Sequence, residues 1–146
     1  MDTAARCRVA GRRVGDMGTV LLAGPQSDGR CAVIETHGRR GAAEPCHIHA
    51  REDELIYVVA GAVLVQIGEA VRRHGPGACI FLPHGREHAI QAASATARWL
   101  TIASPAGIEG YYREGAAAEG GADAVERQIA VAARHGVTIT GPAPQP

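Results

Sequence analysis

The sequence predicts an all-β domain, a barrel of about eight strands that is closed off by two short C-terminal helices. The first observation is the abundance of turn-forming residues, with 19 Gly and eight Pro among 146 residues. The second is the set of short apolar runs between them, which recur at roughly the 8–12 residue spacing typical of sandwiches and barrels. The third is a change after Ser104, where helical periodicity begins. A chain of this length corresponds to one domain.

The strands are predicted from apolar runs that end at turn residues. In one run, Val63, Val65 and Ile67 are in phase, as residues on one face of a sheet are. The pair Gly68-Glu69 directly after this run predicts a tight turn. The candidate strands are Thr19–Leu22, Cys31–Glu35, Cys46–His49, Leu55–Val59, Ala62–Ile67, Cys79–Leu82, His88–Ala92 and Arg98–Ala103.

The first of the two helices is predicted to begin after Ser104. This residue is a candidate N-cap, and Pro105 suits the first helical position. On such a helix Ile108, Tyr111 and Tyr112 would share one face, which we expect to pack on the barrel.

The second helix is predicted between Asp123 and Gly136. Asp123 with Glu126 three residues later forms a capping-box pattern, and Gly136 is a typical C-terminal stop. Its expected apolar stripe consists of Val125, Ile129 and Ala132. The chain thus divides into an N-terminal arm (1–16), a barrel core (17–104), a helical segment (105–140) and a tail (141–146).

Composition excludes several function classes. Fifteen Arg balance fifteen Asp and Glu, so no net charge favours nucleic acid or an anionic membrane. The absence of Lys excludes a Schiff-base lysine and a P-loop lysine. No apolar run approaches the ~20 residues of a membrane helix, and no signal peptide is evident, so we expect a cytoplasmic protein. The lack of Lys and Asn, with abundant Ala, Gly and Arg, suggests a GC-rich bacterial genome.

Three histidines and one carboxylate form the pattern that indicates a functional site. His47 and His49 are two residues apart, so on a strand both rings point to the same face. Glu54 follows five residues later, with Glu52 as the fallback, and His88 is the fourth donor. Three imidazoles and a carboxylate suit a divalent first-row metal and would leave two octahedral positions open. A single histidine in a strand is more often a buried residue whose ring is hydrogen-bonded to a carbonyl group than a metal ligand.

Two segments carry a resemblance to a known family. GAAEPCHIHAREDELIYVVAG, from Gly41 to Gly61, resembles the first cupin motif, G(X)5HXH(X)4E(X)6G, at every fixed position. GACIFLPHGREHAIQA, from Gly77 to Ala92, resembles the second motif, G(X)5PXG(X)2H(X)3N, except that Ala92 replaces the customary Asn. In addition, Ala78 stands where many cupins carry Asp.

The resemblance covers roughly residues 18–142 and extends to small bacterial single-domain cupins of the quercetin-dioxygenase-like group. It implies a jelly-roll barrel in which His47, His49, Glu54 and His88 bind the metal. Iron, manganese or nickel is expected there, with zinc, cobalt or copper as the other candidates. It also implies a homodimer, because an open barrel edge must be covered.

Several functions are compatible with such a site. We expect an oxygenase acting on a small enolic, phenolic or polyketide-like substrate, with Glu54 leaving the metal to act as general base. The alternatives are a non-redox isomerase, cyclase or lyase that uses the metal as a Lewis acid, and a non-catalytic cupin that binds a small ligand. Strand parity points Ile56, Ile80, Leu82, Ile90 and part of 98–103 into an apolar cavity.

Overall fold

The computed structural model describes residues 12–14, 18–117 and 123–143, and within them eleven strands form two antiparallel sheets. The first sheet has the order β1-β2-β3-β10-β5-β8. Its strands are β1 (Arg12–Val14), β2 (Gly18–Leu22), β3 (Ala32–Arg39), β5 (Asp53–Ala60), β8 (Cys79–Leu82) and β10 (Thr96–Ser104). A short 3-10 helix, Gly24–Gln26, follows β2.

The second sheet has the order β11-β4-β9-β6-β7. Its strands are β4 (Cys46–His49), β6 (Val63–Ile67), β7 (Ala70–His74), β9 (His88–Ala92) and β11 (Val137–Gly141). The chain alternates between the two sheets, as in a double-sheet jelly roll. The all-β class and the jelly-roll architecture expected from the sequence are therefore confirmed.

A packed apolar core fills the space between the sheets at one end of the barrel. Alternation along the strands produces it, since Val63 and Val65 are buried while Leu64 between them is partly exposed. The other buried members of this cluster are Ile56, Val58, Ile80, Leu82, Ile90, Ala92, Ala97 and Trp99. This core holds together the strands that carry the functional side chains.

Three strands lie outside the eight expected ones. Strand β7 has exposed residues along most of its length, including Arg72 and Arg73, because it is the edge strand of its sheet. Without a buried face it has no apolar alternation from which it could be predicted. Strand β1 lies in the expected N-terminal arm, and the rest of 1–16 falls outside the described residues. Strand β11 lies at the end of the expected helical segment.

The first helix, α1 (Glu109–Ala117), begins later than predicted. Ser104 is the last residue of β10, and its hydroxyl donates to Arg30 O at 2.8 Å instead of capping a helix. The predicted apolar face is confirmed, since Ile108, Tyr111 and Tyr112 are all buried. This face packs in a second apolar cluster, between the helices and β2, β3 and β11.

The second helix, α2 (Ala124–Arg134), has the predicted position, but of the three residues in the predicted apolar stripe only Ala132 is buried. Asp123 is the N-cap residue, although its side chain makes no capping hydrogen bond. Val125 and Ile129 are 69% and 45% exposed, whereas Val131 and Ala132 are buried. The register of the packed face is set by contact with the barrel rather than by the apolar residues of the helix. Neither described helix has the length and apolar character needed to cross a bilayer.

Candidate metal centre

Three strands bring four polar side chains together between the two sheets. His47 and His49 lie on β4, Glu54 on β5 and His88 on β9. Strands β4 and β9 are neighbours, and their register places His47 directly beside His88. Glu54 reaches the same point from the other sheet. All four side chains are buried, with relative exposures of 1–6%.

The donor atoms of these residues converge on one point. One donor atom from each of the four lies within 4.8 Å of the others. His47 Nε2 is 3.1 Å from His49 Nε2, and the two Glu54 oxygens lie 3.4 Å from His49 Nε2 and 3.1 Å from His88 Nε2. Ligands about 2.1 Å from an ion and at right angles to one another are about 3.0 Å apart. The spacing of the donors therefore fits a first-row divalent cation.

The outer nitrogens of His47 and His88 are hydrogen-bonded behind the cluster. His47 Nδ1 donates to Pro45 O at 2.7 Å, and His88 Nδ1 donates to Arg86 O at 2.9 Å. In the neutral rings these bonds leave the Nε2 atoms unprotonated, with lone pairs directed at the common point. Such carbonyl partners are typical of metal-binding histidines. The buried polar set thus matches the chemistry of a cation site.

Glu52, the fallback ligand in the sequence prediction, has a different position. It is 2% exposed, and its Oε2 lies 3.7 Å from His49 Nδ1, on the outer side of that ring. It therefore supports His49 from behind, and Glu54 is the carboxylate whose oxygens join the cluster. Cys46, next to His47 on β4, is buried but is not part of the cluster.

Burial and charge act on the cluster in opposite directions. Burial and the neighbouring His88 lower the pKa of His47 to about 4. Burial would also lower the pKa of His49, but Glu52 and Glu54 flank its ring and raise this pKa to about 10. Burial would raise the pKa of Glu54, yet its contacts with His49 and His88 outweigh burial and hold the pKa well below its usual range. In the absence of a cation, protonated His49 and ionised Glu54 therefore form an ion pair.

A cavity of about 250 Å³ lies beside the cluster, and His47 and His49 form part of its wall. Much of the rest is apolar, including Trp99, Ile108 and Tyr111. Of the residues expected to line the cavity, only Trp99, from the range 98–103, does so. Ile56, Ile80, Leu82 and Ile90 do point inward, but they belong to the packed core and do not line the cavity. The C-terminal segment supplies much of the wall instead.

Glu44 in the cavity wall was not predicted from the sequence, and Tyr112 was expected only to pack on the barrel. Glu44 lies in the loop before β4, and Tyr112 lies on α1. The Tyr112 hydroxyl donates to Glu44 Oε1 at 2.9 Å. Glu44 precedes the strand, where alternation does not define a face, so no periodic signal marks it as an inward residue.

Two antiparallel sheets that enclose histidine and carboxylate donors define a jelly-roll barrel compatible with a divalent metal ion. A family model described as a cupin domain matches residues 37–103, the stretch that contains all four donors. The chain belongs to the cupin superfamily. No curated protein matches the sequence. The expected membership of the quercetin-dioxygenase-like group stays a prediction.

Solved structures agree with this family. KdgF from a Halomonas species is 30% identical, with a TM-score of 0.51 over 53% of this chain and 71% of that chain. The protein TT1209 from Thermus thermophilus is 29% identical, with a TM-score of 0.50 over 53% and 74%. A predicted oxalate decarboxylase from Thermotoga maritima has a TM-score of 0.58 over 65% and 91%, but at 18% identity this likeness shows the fold alone.

Proposed function

We propose that the protein is a metal-dependent enzyme whose centre is formed by His47, His49, Glu54 and His88. The observation that supports it is the convergence of four buried donors beside a cavity large enough for a small molecule. A divalent transition metal bound there would supply either dioxygen activation or Lewis acidity. Iron, manganese or nickel is the metal we expect, because the proposed oxygenation needs a redox-active ion, although the same donors would also hold zinc.

The reaction we propose is oxygenation of a small, neutral enolic or phenolic substrate. Trp99, Ile108 and Tyr111 provide apolar and aromatic surface for a flat ring or a short carbon skeleton. Among the described residues, no arginine lines the cavity, and Glu44 in its wall would repel a substrate carboxylate. The volume of about 250 Å³ limits the substrate to a small molecule.

A second candidate is a non-redox isomerisation, cyclisation or lyase reaction. It is favoured by Glu44 and Tyr112, a hydrogen-bonded protic pair that lines the same cavity as His47 and His49. Reactions of this class move a proton without a net electron transfer, and they need a side chain that can hold it. They would proceed with zinc, which has no redox chemistry.

We also propose that the protein is a homodimer. Strand β8 pairs with β5 on one side, and no strand in the described part of the chain covers its other side. Phe81 on β8 is 57% exposed and Tyr57 on β5 is 41% exposed, which leaves apolar surface at this edge. A second copy would cover both the open edge and the apolar side chains.

The metal content of protein purified without a chelating tag tests the centre, with His88→Ala as the matched control. About one equivalent of metal in the wild type and a large loss in the variant are expected. Equal metal content in both proteins would refute the ligand assignment.

Oxygen uptake then tests the reaction class. The protein loaded anaerobically with Fe(II) is supplied with neutral enols and phenols, and oxygen consumption is compared with that of the zinc-loaded protein. Uptake by the iron form alone supports an oxygenase. Turnover by the zinc form supports the second candidate, and no turnover with any metal supports a ligand-binding cupin.

A further inference from the structure

Glu44 occupies a fixed position beside the proposed metal centre. Its backbone N–H donates to Ile90 O at 2.9 Å, and the preceding residue, Ala43, forms an isolated bridge with Gln91. Both partners belong to β9, the strand that carries His88. The same strand therefore positions a proposed ligand and the Glu44 backbone, so the distance between them is set by regular structure.

Tyr112 fixes the carboxylate from the other side. Its ring is 3% exposed, and its hydroxyl is 2.9 Å from Glu44 Oε1. The second oxygen of Glu44, Oε2, has no hydrogen-bond partner among the described residues. One oxygen is thus engaged by the helix, and the other is available to a molecule in the cavity.

Glu54 has no such free oxygen. Its Oε1 is 3.4 Å from His49 Nε2 and its Oε2 is 3.1 Å from His88 Nε2, within the buried cluster. A carboxylate in that position would bind the cation together with the neighbouring histidines. Glu54, which is the general base predicted from the sequence, does not line the cavity, whereas Glu44 is the carboxylate of its wall in the described part of the chain.

We propose that Glu44 is the acid–base residue of this site and that Tyr112 is its positioning residue. This inference rests on the proposed metal-dependent function and deepens it. The substrate presents a neutral hydroxyl or an acidic C–H bond to Glu44 Oε2. Neutrality follows because a substrate carboxylate would face Glu44 with no arginine among the described lining residues to offset the repulsion.

The proton transfer is balanced without an external oxidant. The C–H bond next to a substrate carbonyl breaks, and its electron pair remains on the substrate as an enolate. The proton moves to the carboxylate of Glu44, which then returns it to the same carbon or to a neighbouring one. Return to the same carbon exchanges hydrogen with solvent, and return to the neighbouring carbon isomerises the substrate.

The electrostatic surroundings suit this role. Burial, followed by repulsion from Glu54, raises the pKa of Glu44 to about 7, while its hydrogen bond with Tyr112 and the charges of His88 and His49 oppose the rise. In the same cluster, the charge of Glu44 contributes to a raised pKa for Tyr111. A carboxyl group that titrates near neutral pH both accepts and returns a proton efficiently. A bound cation would oppose the rise, because its charge favours the ionised form.

The experiment uses zinc-loaded protein and hydroxyacetone, a small neutral ketone with an adjacent hydroxyl group. Exchange of its carbon-bound hydrogens with deuterium oxide is followed by NMR for the wild type, Glu44→Gln and the control Glu69→Gln. Glu69 is exposed in the turn between β6 and β7, so its variant makes the same chemical change away from the cavity. A loss of about 100-fold is expected for Glu44→Gln and none for the control.

Tyr112→Phe distinguishes positioning from mere structural support. Removing the hydroxyl removes the bond that lowers the pKa of Glu44, so the rise of the exchange rate with pH is expected to shift to higher pH. A readout independent of turnover is the carboxyl signals of 13C-labelled glutamate in the metal-free protein. One signal that titrates near neutral pH should be absent in Glu44→Gln and should titrate at higher pH in Tyr112→Phe.

The outcomes separate this inference from the proposed function. Wild-type exchange rates in a Glu44→Gln variant that holds its zinc overturn the acid–base role and leave the metal centre intact. A zinc-loaded wild type that exchanges no faster than buffer also overturns it. If His88→Ala retains full zinc, the metal centre itself is wrong, whatever the exchange rates show.

Discussion

Metal binding at this site should release a proton from His49. Without a cation, that ring holds two protons, since Glu52 lies 3.7 Å from Nδ1 and Glu54 lies 3.4 Å from Nε2. A cation needs the lone pair of Nε2, so the proton on that atom must leave. The proton on Nδ1, which lies 3.7 Å from Glu52 Oε2, can stay, because the cation does not use that nitrogen.

The size of the effect follows from the pKa of His49, which is raised from its usual value to about 10. Below that pH the metal-free site is protonated, so the apparent affinity should rise about tenfold per pH unit. Because the pKa of His49 is raised, a proton competes with the metal for this ring at neutral pH. The affinity for the metal therefore increases as the pH increases. Glu44, with a pKa of about 7, is mostly ionised near pH 8 and contributes little there.

Titration calorimetry with cobalt(II) measures the released protons directly. The heat of binding is recorded near pH 8, under anaerobic conditions, in buffers with different enthalpies of ionisation. About one proton per cobalt is expected for the wild type and fewer for Glu52→Gln, because that variant loses one of the groups that raise the pKa of His49. Binding of cobalt without proton release in the wild type would refute the assigned protonation state.

Three further predictions concern the fold and the assembly. Gly61→Ala should lower the free energy of unfolding by at least about 3 kcal/mol in urea denaturation, because the added Cβ would lie 2.1 Å from Thr96 O. A Cβ added at Gly41 would meet open space, so Gly41→Ala should lower the free energy of unfolding by only about 1 kcal/mol, because of the positive φ at this position. Equal losses of stability in the two glycine variants would contradict this reasoning. Ile56→Ala should lower the free energy of unfolding by about 2–5 kcal/mol and leave the metal stoichiometry unchanged. Loss of the metal in this variant would contradict the view that the apolar core and the metal centre are independent. Phe81→Arg should convert a dimer to a monomer in analytical ultracentrifugation, and a monomeric wild type would exclude the proposed dimer.

Much of the barrel could be predicted because its strands alternate. Strand β4 was predicted with its observed bounds, Cys46–His49, and parity alone placed His47 and His49 on one face. Glu54 could not be placed by parity, since it reaches the cluster from the other sheet. Its assignment came from the family motif, in which the spacing to the histidines is set.

The parts that were not predicted share a physical cause. The register of α2 depends on how the helix contacts the barrel, so Val125 and Ile129 form an apolar face that remains exposed. Strand β7 has an exposed edge position and no apolar period. Glu44 lies in a loop, and its contact with Tyr112, 68 residues away, arises only when α1 packs over the barrel. Tertiary packing, rather than local sequence, decides each case.

Part of the cavity wall comes from a stretch of the chain that carries none of the four donors. All four donors lie within 37–103, the stretch that matches the family model, whereas Ile108, Tyr112, Gln128 and Val137 in the cavity wall lie beyond it. The cavity wall is thus shared between the barrel, which also contributes Glu44 and Trp99, and a C-terminal segment that can vary without touching the four donors. Substitutions in this segment should therefore change the shape of the cavity while the metal content stays the same.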